Sequence, residues 1–220
     1  LVTFPSPNPL AEDRGVRLEY VADGVWDRGR SRTNRTEERR VADVIVQELK
    51  SHPERSIGVV AMNVSQREAI EDALNERLAD HPDLTALLAS NADEPFFVKA
   101  LENVQGDERD TIIISVGYAR SPAGILSFNF GPLNQEGGWR RLNVLVTHAK
   151  WQTILVASFR SHELDGVNTN NRGATALRNF IAYAEEGCKL PPEPAMATDR
   201  ETNDFEDGVA SALRDRGLTI

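Results

Sequence analysis

Residues 140–158 read RRLNVLVTHAKWQTILVAS. The first half has the pattern of a helix that carries Arg140 and Arg141, and the second half is an aliphatic run of the kind that forms a buried strand. Between them stand Thr147, His148, Ala149 and Lys150. A helix that runs directly into a buried strand is half of an α/β repeat, and the rest of the chain continues the alternation. Strands are expected at 16–21, 57–61, 96–99, 111–116 and 153–158, and helices at 36–50, 65–79, 82–89, 138–147 and 172–186. The runs IGVVA and TIIISV are apolar without a break, as strands covered on both faces require. This predicts an α/β domain built on a mostly parallel sheet. Thr36 stands where a small polar side chain would cap the first helix.

The chain has 220 residues, 40% hydrophobic and 27% charged, the balance of a globular domain rather than a disordered or fibrous one. No apolar run approaches the ~20 residues that cross a bilayer, so no membrane partner is expected. The N-terminal stretch lacks the basic start and apolar core of a signal peptide. A lone cysteine, Cys188, excludes an internal disulfide framework and suits a reducing, cytoplasmic setting. Net charge is −9, which excludes a uniformly basic nucleic-acid binder, yet six arginines crowd residues 28–40. No histidine or cysteine spacing suggests a metal site, and no nucleophile elbow is present.

Punctuation by Gly, Pro and Asn marks 120–138 as a surface loop. A linker is expected at 188–203, where Pro191, Pro192 and Pro194 fall. Beyond it an amphipathic helix restarts, with Phe205, Val209 and Leu213 four residues apart. One helix cannot bury a core, so the chain reads as a piece of something longer.

In ENVQGDERDTIIIS, residues 102–115, a polar turn enters a buried strand. Gly106 allows close backbone approach to a ligand, and Gln105 and Glu108 offer an amide and a carboxylate to hydroxyl groups. Read alone, the turn is a solvated loop. It does not stand alone: VQGDERDTIIISVGY followed by FGPLNQEGGWRRLNVLVTHAKWQTILVAS resembles motifs V and VI of superfamily 1 helicases, in the group of the nonsense-mediated decay and Okazaki-fragment helicases. IGVVAMNVSQREAI is similar to motif IV, and TNRTEERRVADVIVQEL to the segment before it.

The resemblance implies a RecA-like three-layer sandwich, related to P-loop NTPases. It also implies an ATP-dependent helicase in which two such domains clasp ATP and Mg²⁺ while gripping single-stranded DNA or RNA. The sequence contains no Gly-x-x-x-x-Gly-Lys-Ser/Thr, so it resembles the second domain, whose partner is the N-terminal RecA-like domain of the same polypeptide. That missing domain would hold most of the ATP and Mg²⁺. By resemblance Arg35 is a γ-phosphate arginine, a role worth on the order of 10³-fold in rate. Glu108 matches the glutamate that holds the ribose, with Gln105 and Gly106 beside it and Arg141 a further nucleotide candidate. Asn63, Gln66, Lys99 and Asn103 fall where the family meets the nucleic-acid backbone.

Two departures stand out. The family's Thr-Arg-Ala-Arg, whose first arginine is by resemblance the second γ-phosphate contact, is here Thr147-His148-Ala149-Lys150, so at His148 a neutral imidazole, or nearby the point-charge Lys150, replaces the arginine fork. A weakened ATPase, a pH-tuned one and a degenerate half are all open, the first being preferred. Ala100 also stands where relatives have a phosphate-binding threonine, with Lys99 beside it. The residues after 203 are similar to the opening helix of very-short-patch-repair-type endonuclease domains. The expected organisation is an N-terminal extension (1–15), the RecA-like domain (16–187), the linker (188–203) and the start of a truncated endonuclease-like domain (204–220). The competing reading is a non-catalytic nucleic-acid or partner-binding module of a nuclease-containing protein. Without a phosphate loop, this chain alone is predicted to show no ATP hydrolysis. Steady turnover by a highly purified sample would contradict that.

Overall fold

A computed structural model describes residues 15–104, 106–166 and 171–186. The strands are β1 (Gly15–Tyr20), β2 (Ile57–Ala61), β3 (Phe97–Ala100), β4 (Arg109–Ser115) and β5 (Ala149–Ala157). They form one sheet in the order β1-β5-β4-β2-β3, with every pairing parallel. The helices are α1 (Arg35–Ser51), α2 (Val64–Leu78), α3 (Pro82–Ser90), α4 (Gly138–Val146) and α5 (Arg172–Glu185). The expected α/β RecA-like sandwich is the observed architecture. Among the described residues no helix is long and apolar enough to cross a membrane. The expected extension (1–14 of it), linker and endonuclease-like start lie outside the described residues.

The unbroken apolar strands follow from burial on both faces. In β4, Ile112 and Ile114 join the core beneath α4 and α5, while Ile113 joins the core beneath α1, α2 and α3. In β5, Leu155 and Ala157 face the first core, and Ile154 and Val156 the second. Successive side chains alternate across a strand, so covering both faces demands apolar residues at every position.

Two expectations need correcting. The cap of α1 is Asn34, whose side chain accepts the Glu37 N–H, and Thr36 lies inside the helix. Asn34 wins because its amide is buried with polar partners that a helix-interior threonine cannot reach. The stretch 120–138 is not wholly a surface loop: Ile125 is exposed, but Phe130 and Leu133 are fully buried. Trp26, Tyr118, Phe130 and Phe159 form a chain of rings with centroids 4.8, 5.6 and 5.7 Å apart. Aromatic burial of this size outweighs the turn-forming residues between them.

The 3-10 turn Gly131–Asn134 is wedged between the first turns of α4 and α5. A Cβ at Gly173 would sit 1.7 Å from the Leu133 carbonyl oxygen, and one at Gly138 would sit 2.4 Å from the same atom. Because that atom is backbone, it has little freedom to withdraw. Gly173→Ala is expected to destabilise the fold by about 1–3 kcal/mol in urea unfolding, despite alanine's better helix propensity. A neutral or stabilising result would show that the turn can move away.

Candidate functional site

A parallel sheet has two chemically different ends, and the residues picked out in the sequence divide between them. At the N-terminal end, Arg109 of β4 is in register with Ala149 of β5, and the Arg109 N–H donates to the His148 carbonyl at 3.1 Å. This pairing sets Gly106 and Glu108 beside His148 and Lys150. Gly106 is exposed with φ +74°, and nothing lies within 4 Å of where its Cβ would be, so a ligand has open access to the backbone. Glu108 is exposed. Its backbone is pinned by Arg109, a buried residue the sequence reading missed, which donates to the Glu108 carbonyl at 2.6 Å and to the Pro95 carbonyl at 2.7 Å. The same guanidinium stacks 4.8 Å from the Phe97 ring centroid.

His148 is only 7% exposed, and its Nε2 has no hydrogen-bond partner among the described residues. An unpaired buried nitrogen costs about 1–3 kcal/mol, and because it is sealed from solvent a ligand acceptor would recover that only if the surrounding residues moved. Lys150 is engaged differently from the expectation, because its Nζ pairs with Glu94. The hydrogen bond from Lys150 is the first cause that lowers the Glu94 pKa below its usual value, and the same bond raises that of Lys150. Ser56 adds an O–H donor to Glu94 at 2.5 Å and an N–H donor to Asp110 at 3.0 Å, tying β2 to this cluster. Arg141 is exposed on α4, seven residues before His148 or about 10 Å along a helix, and has no partner among the described residues. Gln105 lies outside the described residues.

The C-terminal end is organised by Glu37. Its carboxylate is fully buried and accepts from the Ser115 hydroxyl (2.8 Å), the Gly117 N–H (2.6 Å), the Ser158 hydroxyl (2.8 Å) and the Asn34 amide (3.2 Å). Asn34 also donates to Ser158 Oγ at 2.8 Å, and its own N–H donates to Gln66 Oε1 at 2.8 Å. Gln66 is thus fully buried within this network, a correction to its expected contact with a nucleic-acid strand. Burial pushes the Glu37 pKa up to about 7, against the lowering effect of its donors. The signal for Asn34 and Glu37 was present in NRTE, as a cap residue followed three positions later by an acid.

Arg35, the first residue of α1, is exposed at this same end. It makes no ion pair or side-chain hydrogen bond among the described residues, and its charge only opposes the burial that raises Glu38 to about 7. The seven residues of β4 separate the two sheet ends by about 20 Å. Arg35 and His148 therefore cannot meet one triphosphate within this domain, which corrects their joint assignment to the γ-phosphate.

At the start of α2 lies a groove lined by Trp26, Arg32, Asn63, Val64, Glu102 and Tyr118. Asn63 caps α2 by accepting the Gln66 N–H at 2.9 Å. Its Nδ2 is buried without a hydrogen bond, the Tyr118 hydroxyl lying near but outside bonding geometry. Arg32 holds a left-handed φ of +57°, a conformation that costs a non-glycine residue roughly 1–2 kcal/mol. The turn that imposes it is locked by the Arg32 N–H donating to the Asp27 carbonyl at 2.9 Å. Asn103 is exposed next to Glu102. Lys99 differs from its expected role as a free groove cation, since its Nζ is 2.8 Å from the Asp107 carboxylate and 5.0 Å from the Phe97 ring centroid.

Taken together, the fold and the two ends define a RecA-like α/β domain. Residues 19–160 match the family model described as AAA domain, and the chain belongs to that family. It is 33% identical over 184 residues to an "Uncharacterized ATP-dependent helicase" of Mycoplasma genitalium. It is 35% identical over 184 residues to the homolog of that protein in Mycoplasma pneumoniae. Each match covers 81% of this chain and 16% of the relative, so the chain spans about a sixth of the length of these curated relatives. It is a helicase-like domain.

The Glu37 network makes stability depend on pH. The folded pKa, about 7, lies above the ordinary 4.5, so the folded chain holds a proton that the unfolded chain has lost between these values. The contribution is full below about pH 4.5 and is lost as pH rises through about 7. Glu37→Gln is expected to flatten the stability profile over that window. At fixed pH it should also cost about 1–3 kcal/mol, because its amide would face the Asn34 donor. Urea unfolding of both proteins from pH 4.5 to 8 checks this, and parallel profiles would refute it.

Proposed function

We propose that the chain is the second RecA-like half of an ATP-dependent nucleic-acid helicase or translocase of superfamily 1, in the nonsense-decay and Okazaki-maturation group. The observation that carries this reading is the β4–β5 register, which brings Gly106 and Glu108 alongside His148 at one end of the sheet. The aromatic and arginine-bearing groove occupies the other end. The names of the relatives support the use of ATP and the helicase role.

The residues at the N-terminal end fit a nucleotide. An open glycine backbone, an exposed carboxylate and an orphaned imidazole nitrogen are the groups that a ribose and a phosphate would complete. Glu108 would accept from the ribose hydroxyls, the exposed Arg141 would donate to phosphate oxygens, and His148 Nε2 would join only if the residues covering it moved. Lys150 would join only by leaving Glu94. When bound, ATP supplies the phosphoanhydride whose cleavage drives the cycle. Mg²⁺ would come with it and be held by the partner domain. No group of three or more His, Cys, Asp or Glu residues among the described ones is placed to hold a metal.

The partners of this reading are single-stranded DNA or RNA in the C-terminal groove and an N-terminal RecA-like domain of the same polypeptide. Alternate closing and opening against that domain would step the pair along the strand. Arg35, on the strand-facing end, would serve the strand or the partner domain rather than the Glu108 pocket. The organisation into extension, domain (16–187), linker and endonuclease-like start, and the cytoplasmic setting, belong to the same proposal.

The test is steady-state ATPase of the full-length protein with and without single-stranded DNA and RNA. Glu108→Ala is expected to raise KM for ATP about tenfold and to leave urea stability unchanged, since the side chain is exposed. An unchanged KM would remove Glu108 from the nucleotide site. Strand binding without any strand-stimulated turnover would favour the non-catalytic module.

A further inference from the structure

A second depression lies at the C-terminal end of the sheet, where the first turns of α4 and α5 meet the turn Gly131–Asn134. It encloses about 480 Å³, and Trp139, Arg140 and Arg172 line it together with Gln135, Glu136 and Asn171. Arg140 lies 5.4 Å from the Trp139 ring centroid. Neither Arg140 nor Arg172 has an ion pair or a side-chain hydrogen bond among the described residues. Arg17, Arg40, Arg67, Arg77, Arg120 and Arg178 are ion-paired, whereas Arg140 and Arg172 share with Arg35 and Arg141 the lack of an ion pair among the described residues and face one cavity together. In a chain of net charge −9, acids are plentiful, yet two arginines from different helices turn to one cavity with a single acid, Glu136, among its lining. Asn171 is already occupied in capping Ala174, with its oxygen accepting the Ala174 N–H at 3.1 Å. The two cations and the indole, with Gln135 and the single acid Glu136 beside them, are therefore the groups left for a ligand. The adjoining helix N-termini add positive potential, but the case rests on the side chains.

The place of this cavity is informative. Pro132 lines the groove that holds Trp26 and Arg32, and its neighbour Leu133 lines this cavity. One turn of chain separates two basins at the same end of the sheet. Each combines an indole with arginine that has no ion pair among the described residues. Planar guanidinium groups suit phosphodiester oxygens, and the half-buried indole of Trp139 suits a base, so this cavity has the chemistry of a single-strand subsite; in the groove Trp26 is buried against Tyr118, and Arg32 is the group left for a phosphate.

We propose that the Trp139–Arg140–Arg172 cavity is a second phosphodiester subsite for the strand taken by the Trp26–Arg32 groove. The strand crosses the Gly131–Asn134 turn and places backbone phosphates on Arg140 and Arg172 and a base on Trp139. This rests on the C-terminal groove being a strand site.

The test measures anisotropy of labelled dT12 and U12 oligonucleotides on the full chain as a function of salt. Wild type is compared with Arg140→Ala/Arg172→Ala, Arg140→Lys/Arg172→Lys and Arg32→Gly, the last respecting the positive φ at position 32. Losing two phosphate contacts should weaken binding about tenfold and reduce the salt slope by about 1.4, while the lysine pair keeps the slope. Equal effects on both oligonucleotides mean that the phosphodiester is read, and an effect on U12 alone means an RNA-specific form of the same subsite. If the alanine pair binds with wild-type affinity and slope while Arg32→Gly is impaired, the strand stays in the first groove. The inference then falls while the strand reading stands. If inorganic phosphate binding is lost in the alanine pair with strand binding unchanged, the cavity is a free-anion site and the inference also falls. If folded wild type binds neither oligonucleotide, the strand reading itself fails.

Discussion

The buried carboxylate of Glu37 is the constraint on which the C-terminal end of this domain depends. One side chain from the first turn of α1 collects donors from Ser115 at the end of β4, Gly117 just beyond it and Ser158 just beyond β5. A carboxylate without water is costly, and only several donors at once make its burial tolerable. The result fixes α1 against the two central strands at the point where the chain leaves them. Gln66 extends the fixation to α2 through the Asn34 N–H. The groove that holds Trp26, Arg32 and Asn63 is therefore built on ground that cannot shift without breaking buried hydrogen bonds. The rigidity of a binding surface follows from the satisfied polar groups beneath it.

The N-terminal end is built on a different principle. There the orphaned Nε2 of His148, the open backbone of Gly106 and the exposed carboxylate of Glu108 are unfinished within this domain. What is satisfied is the scaffold: Arg109 bonds the Pro95 and Glu108 carbonyls, and Ser56 bonds Asp110 and Glu94. Firm supports thus hold an open glycine backbone and an exposed carboxylate at the surface, with the imidazole of His148 buried behind them.

The strands of this fold were legible because burial on both faces leaves a one-dimensional trace. IGVVA and TIIISV announce themselves by composition, and the expected 57–61 and 111–116 differ from the observed strands by at most two residues at either end. The sequence was less informative wherever a residue's role depends on a partner far along the chain. Gln66 read as a surface polar residue because its partners, Asn34 and Ser115, are 32 and 49 positions away. Lys99 and Lys150 read as free cations because local spacing does not reveal Asp107 or Glu94 as their partners. Arg35 and His148 were grouped by family resemblance, and only the direction of the strands shows that they belong to opposite ends. The ring chain from Trp26 to Phe159 was hidden by the turn residues interleaved with it.

The two ends are nevertheless joined by α4. Its first turn carries Trp139 and Arg140 at the C-terminal end of the sheet, and its last turn leads through Thr147 into His148 at the N-terminal end. Nine residues of helix span only about 13 Å, a length over which a packed helix moves as a rigid body. Leu142 and Leu145 anchor it in the core, and Gly138 is packed against the Leu133 carbonyl. The spacing between Arg140 and the last turn of α4 is therefore fixed by the helix itself. One short helix thus places Arg140 at one end of the sheet and hands the chain through Thr147 to His148 at the other, so the two ends are set by the packing of a single element.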